Sequence, residues 1–184
     1  MKKVAFDEIV SLNEYAAMRD GVRREVMAVK AARRVYLGEH LMFLFENADT
    51  IRYQVHEMLR AESRSSEEDV RHELDTYNEL IGDEGELGCT LLIGIDDALQ
   101  RDIVLRKWVE LPKHLYLLRS DGQRAYARFD ERQIGRGRLS SVQYLKFEVG
   151  PQAPTAVGMD LPGMELEVEI QPAAREALGA DLTT

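Results

Sequence analysis

The stretch Leu41-Met42-Phe43-Leu44-Phe45-Glu46-Asn47-Ala48-Asp49-Thr50-Ile51-Arg52-Tyr53-Gln54-Val55-His56-Glu57-Met58-Leu59-Arg60-Ala61-Glu62 carries two periodicities back to back, and its reading decides the fold. The apolar run Leu41–Phe45 is too short for a helix and reads as a buried strand. Asn47 can cap a helix over roughly Ala48–Glu62, where Ile51, Val55, Met58 and Leu59 make an apolar stripe. A buried strand that feeds an amphipathic helix places a sheet and a helical layer side by side.

Toward the N-terminus, Ser11 with Glu14 forms a capping box and predicts a helix from about Leu12 to Arg34. Leu12, Ala16, Val22, Val26 and Val29 fall near its inner face, and Arg19, Arg23, Arg24, Lys30, Arg33 and Arg34 on its exposed face. Gly21 interrupts it at about 1 kcal/mol relative to alanine, which predicts a break or close packing. Val35–Leu37 then leads into the Leu41 strand.

Toward the C-terminus, Ser65 with Glu68 forms a second capping box and predicts a helix to about Ile81, with Val70, Leu74, Tyr77 and Ile81 inward and Gly82 as its stop. Glu86–Ile95 reads as a central strand around Cys89. Asp96–Val109 reads as a helix with Leu99, Ile103 and the Leu105–Trp108 region inward, closed by Pro112. The period then falls to two. His114–Arg119 and Gln123–Phe129 pair across Asp121-Gly122, a hairpin signal. Val142–Val149 is a further strand, and Leu166, Val168 and Ile170 alternate with Glu165, Glu167 and Glu169. Gly150–Gly163 holds three of the five prolines and reads as a loop, Pro172–Leu178 as a short helix, and residues 180–184 as a frayed end. The order predicts a single α+β domain over residues 1–184. A mainly antiparallel sheet carries packed helices: an N-terminal one and a central pair.

The 184 residues are 45% apolar and include one cysteine, which excludes an intramolecular disulfide and a multi-cysteine metal centre in one chain. No apolar run approaches the ~18 residues of a membrane span, and Met1–Asp7 does not read as a signal peptide. The expectation is a cytoplasmic protein without membrane contact. The net charge of −9 comes from two segments, −8 over residues 62–86 and −5 over 160–184, while residues 119–146 sum to +4.

The opening stretch is also the densest in functional side chains. A strand that enters a helix N-terminus can hold an anion on free backbone N–H groups. Glu46, Asn47, Thr50, Gln54, Arg60 and Glu62 are the binding candidates, with Glu57 or His56 as general base and Arg60 as anion clamp. Against this stands a plain capped helix with ordinary surface ion pairs. Metal binding has weaker candidates in His56, His72, Glu68 and Asp75; the last three share a helix face, yet that face lies opposite Val70, Leu74 and Tyr77. No Glu-x-x-His or His-Glu-x-x-His motif and no phosphate-binding glycine loop is present, and no cofactor is predicted. Cys89 sits among apolar neighbours and reads as a buried thiol. The basic stretch 119–146 includes Arg124, Arg128, Arg136, Arg138, Tyr126, Phe129 and Tyr144, a pattern that suits nucleic acid. The acidic balance of the whole chain weighs against that, and the stretch can instead meet residues 62–86 or 160–184, within one chain or between copies.

Arg33-Arg34-Val35-Tyr36-Leu37-Gly38, Phe45-Glu46-Asn47 with Thr50, and Gln54–Glu62 resemble a bacterial family of proteins of unknown function. Tyr77–Ile81 and Val142–Phe147 extend the resemblance over nearly the whole chain. Members of that family are often encoded beside rubrerythrin and an iron–sulfur oxidoreductase with cysteine-rich domains. The resemblance brings no activity and no catalytic residues; it implies a redox or peroxide-stress setting. With one cysteine, this chain would leave an iron–sulfur centre to another protein. The sequence therefore suggests an accessory or binding protein, with a redox partner or a second copy of itself. The alternative is a small enzyme, metal-dependent or not, with a polar pocket at Phe45–Glu62.

Overall fold

The computed structural model describes residues 1–135 and 137–183. Helix α1 (Leu12–Ala31) opens on the expected Ser11–Glu14 box, in which each side chain accepts the other residue's backbone N–H. It ends before Arg33, which stands in the turn, and Arg34, which begins the next strand, and it runs through Gly21 without a break. Its inner face holds as expected at Val26, which is buried, and at the half-buried Leu12, Val22 and Val29, but Ala16 is exposed and Tyr15 is buried beside that face. Arg19 and Arg33 are not solvent-facing cations but anchors to other elements.

Strands β1 (Arg34–Leu37) and β2 (Leu41–Phe45) form a hairpin that leads into helix α2 (Ala48–Glu62). Asn47 caps α2 by accepting the Thr50 N–H at 3.1 Å, while the Thr50 hydroxyl accepts the Asn47 N–H at 3.0 Å. Helix α3 (Glu67–Asn78) is capped by Ser66 with Asp69, one residue beyond the predicted Ser65 and Glu68. Asp69 wins because its shorter carboxylate takes both the hydroxyl and the N–H of Ser66, at 2.6 and 3.1 Å.

Strand β3 (Glu86–Ile93) and helix α4 (Ala98–Lys107) follow. Strands β4 (Leu115–Leu118) and β5 (Arg124–Tyr126) pair across the Asp-Gly turn, where Gly122 has φ +81°. Two short strands, β6 (Ile134–Gly135) and β7 (Arg138–Leu139), precede β8 (Val142–Glu148). Arg136, part of the predicted basic loop, lies outside the described residues. The stretch expected to be a loop contains a full strand, β9 (Ala156–Leu161), paired with β10 (Met164–Glu169). Its prolines stand at 151, 154 and 162, outside the paired residues, so they end the strand without breaking it. Helix α5 (Pro172–Leu182) outruns its predicted end because Leu178, Asp181 and Leu182 are buried.

The two main sheets are antiparallel four-stranded layers in the orders β1-β2-β3-β8 and β10-β9-β4-β5. Arg128 and Lys146 exchange backbone hydrogen bonds at 2.8 and 2.9 Å and join the β5 segment to β8. The inward faces share one core, with Phe43, Phe45, Leu91 and Phe147 from the first sheet and Leu115, Leu117, Val157 and Met159 from the second. Helix α5 adds Leu178 and Leu182 to it, and α4 adds only its last turn, Leu105, with Trp108 just beyond. Leu99 and Ile103, expected inward, are 78% and 66% exposed, because α4 turns the face of Val104, Leu105 and Trp108 to the core and leaves these two on its other side. A second cluster on the helical side joins Val4, Ile51, Val55, Leu59, Leu74 and Ile81. The fold is thus α+β, with helices packed on antiparallel sheets.

Candidate functional site

The predicted catalytic and binding residues lie on or just before α2, the weaker metal candidates His72, Glu68 and Asp75 on α3, and α2 sends its own to different sides. Glu46 and Asn47 follow β2, where the chain turns from sheet to helix. The Glu46 carboxylate is buried and accepts the Thr50 hydroxyl at 2.5 Å and the Thr90 hydroxyl at 2.6 Å. Each oxygen therefore has a donor, as a buried carboxylate requires. The Asn47 amide donates to Asp181 at 3.2 Å, and Arg33 grips the same carboxylate through Nε and Nη2 at 2.7 and 2.9 Å. That knot ties the starts of β1 and α2 to the end of α5.

On another side of α2, Glu57 accepts the Tyr15 hydroxyl at 2.8 Å and the Arg19 fork at 2.7 and 2.8 Å, and Arg60 approaches at 3.3 and 3.4 Å. The Arg19 guanidinium, with the Tyr15 and Arg60 donors, holds the Glu57 carboxyl down at about 2. A carboxylate so saturated is a weak proton acceptor near neutral pH. Tyr15 is pushed up by burial and by Glu57. His56 stacks on Tyr15, with ring centroids 4.5 Å apart. Its Nε2 accepts the Val10 N–H at 3.1 Å and its Nδ1 donates to the Arg52 carbonyl at 2.8 Å. Both ring nitrogens are engaged in the neutral tautomer, and burial lowers its pKa.

Gln54 lies beside Tyr77 of α3, and Glu62 is exposed and pairs with Arg64 at 3.2 Å, so neither faces Glu46 or Glu57. Glu62 lies in water because the helix ends there and the following Ser63 turns left-handed at φ 54°. His72, Glu68 and Asp75 do share one open groove of α3 with Arg64 and Arg71. Among the described residues, no three His, Cys, Asp or Glu side chains come together as a metal-binding group. Cys89 faces the core, and burial pushes its thiol well up, which withholds the thiolate.

Several of these partners were not legible as site residues. Tyr15 and Arg19 read as ordinary residues of α1, Arg33 as a helix-end cation, and Asp181 as part of a frayed end. One signal was available: the like-signed segments need counter-charges. The basic stretch does meet both acidic segments within one chain, since Arg128 and Lys146 hold Glu86 while Arg124 holds Asp160.

Residues 3–182 match the model of a family described as protein of unknown function (DUF3501). The chain is also similar to a crystal structure of a protein of unknown function from Burkholderia pseudomallei K96243. That likeness has a TM-score of 0.90 and 32% identity, over 98% of this chain and 100% of the other. No curated protein matches it.

Proposed function

The chain belongs to the family described as protein of unknown function (DUF3501), and we propose that it is an accessory or binding protein that works by contact with a partner. The observation that carries this reading is the outer ridge of α4. Leu99 and Ile103 stand one helical turn apart and are 78% and 66% exposed. Adjacent apolar side chains that a fold leaves in water mark a contact surface more readily than an isolated one does. The groups that would suit acid–base chemistry are tied to one another instead, Glu57 by Arg19 and Tyr15, His56 by Val10 and Arg52. The resemblance to a family encoded beside redox proteins makes a redox protein the first partner to test. With Cys89 buried, electron transfer in such a pair would rest on the partner's centre or on a group bound between them.

A photo-crosslinking residue placed at Ile103 tests this in cells. The expected result is one dominant cross-linked protein, lost when Leu99→Glu is added to the same chain, with the thermal midpoint unchanged within a few degrees. A cross-link pattern no different from that at the exposed Glu110 would overturn the reading. A cross-linked second copy would identify the partner as the chain itself.

A further inference from the structure

We propose that the cleft between the end of α3 and β8 binds a small apolar monocarboxylate, an aromatic one by preference. The cleft has a volume of about 410 Å³, within the range of small-molecule sites. One wall is aromatic: the Tyr144 ring is 42% exposed and Phe129 is half-buried beside it. Leu80 supplies an apolar contact from the α3 side.

The polar end is cationic. Arg128 and Lys146 both reach the buried Glu86, one to each carboxylate oxygen, with Lys146 at 3.2 Å. Arg128 commits a single Nη2 donor to that pair and its side chain is 65% exposed, so most of its five N–H groups remain for a ligand. A guanidinium with free donors beside an ammonium suits a carboxylate fork.

The remaining groups narrow the ligand. The Gln133 amide is clasped to the Tyr144 backbone, donating to its carbonyl at 3.1 Å and accepting its N–H at 2.7 Å. Asp130 is held by Arg132 at 2.5 Å. Glu79 stands on the rim and the α3 segment beyond is strongly acidic, so a polyanion is repelled. What fits is one negative charge on a flat apolar body. The walls are also fixed in advance, by the Arg128–Lys146 backbone pair and the Gln133 clasp, which limits the ordering cost of binding.

The probe is 2-naphthoate, titrated into the 184-residue chain with amide resonances as readout. Shifts should concentrate at residues 128–130 and 144–146. 2-Naphthalenemethanol, which keeps the rings and lacks the charge, should bind at least tenfold more weakly, and 2-naphthyl phosphate more weakly than the carboxylate. Tyr144→Ala and Lys146→Gln should each weaken naphthoate at least fivefold. Arg128→Gln serves less well alone because it frees buried Glu86, whereas the exposed Tyr144 ring can be removed with the fold intact. Equal binding of the alcohol, shifts centred elsewhere, or tighter binding of a single-stranded oligonucleotide at the same residues would overturn the proposal.

Discussion

The two sheets share one core but finish their outer faces in opposite ways. Helices cover the first in part, leaving Tyr36 and Tyr144 exposed, and charged groups are tied down where helices meet it or one another: Arg33 with Asp181, Glu46 with Thr50 and Thr90, Glu57 with Arg19. The second has no helix across its outer face among the described residues. Side chains cover it instead. Tyr116 lies flat over Gly158, donates to Glu167 at 2.8 Å and carries Arg124 4.2 Å above its ring centroid. Asp160 gathers Tyr126, Arg124 and His114 at 2.6, 2.9 and 3.1 Å. A sheet can thus be finished by burial or by a polar lattice in water. The first should fail by large steps and the second by small ones, because a lost partner strands a charge only where water is excluded.

Arg33→Ala tests the large step. Its side chain and that of Asp181 are 11% and 9% exposed, and breaking a buried pair from one side costs about 3–5 kcal/mol. Urea unfolding should show that loss, and Arg33→Met with Asp181→Leu should recover most of it. A loss under 1 kcal/mol would place the seam with the surface pairs. Gly158→Ala should be the largest disturbance of the open sheet. A Cβ there falls within the Tyr116 ring, and the ring must tilt away or the strands part. The expected cost is about 1–3 kcal/mol, with the Tyr116 ring resonances displaced.

The difference between the faces also sets what the sequence could reveal. Period and caps announced α1, α2, β2 and β8, since each depends on neighbours within about four residues. The α4 face was misread because Leu99 and Ile103 match an inner stripe, while the helix turns Val104, Leu105 and Trp108 to the core instead. Strand β9 was hidden by prolines that flank its paired residues. The site was legible as a dense segment but not as a geometry. Glu57 finds its partners 38 and 42 residues away on α1, and Asn47 finds Asp181 134 residues away, distances at which local pattern is silent.

The two faces should also answer pH from opposite ends. Glu57 is held at about 2 in the folded chain against an ordinary 4.5, so its stabilisation is full above pH 4.5 and fades as pH falls toward 2. The loss should be smaller than for Arg33→Ala, since the Glu57 side chain is 18% exposed and solvent screens it. Glu57→Gln should flatten that acid limb. Tyr116, pushed up to about 12 from 10 by burial and by Glu167, stays protonated where the unfolded chain ionises. Its contribution is full below pH 10 and fades between 10 and 12. Urea midpoints at pH 3 and pH 11, taken in wild type, Glu57→Gln and Tyr116→Phe, separate the two limbs. If Tyr116→Phe leaves the alkaline limb unchanged, the lattice does not hold that tyrosine as drawn.

The smallest effect belongs to Tyr126→Phe. It removes the 2.6 Å bond to Asp160 from a ring that is 44% exposed, while Arg124 and His114 remain on the same carboxylate. Water can replace the lost donor, so the cost should be about 0.5 kcal/mol. A loss above 2 kcal/mol would mean that Asp160 depends on this hydroxyl as a buried carboxylate would, and the contrast between the two outer faces would then disappear.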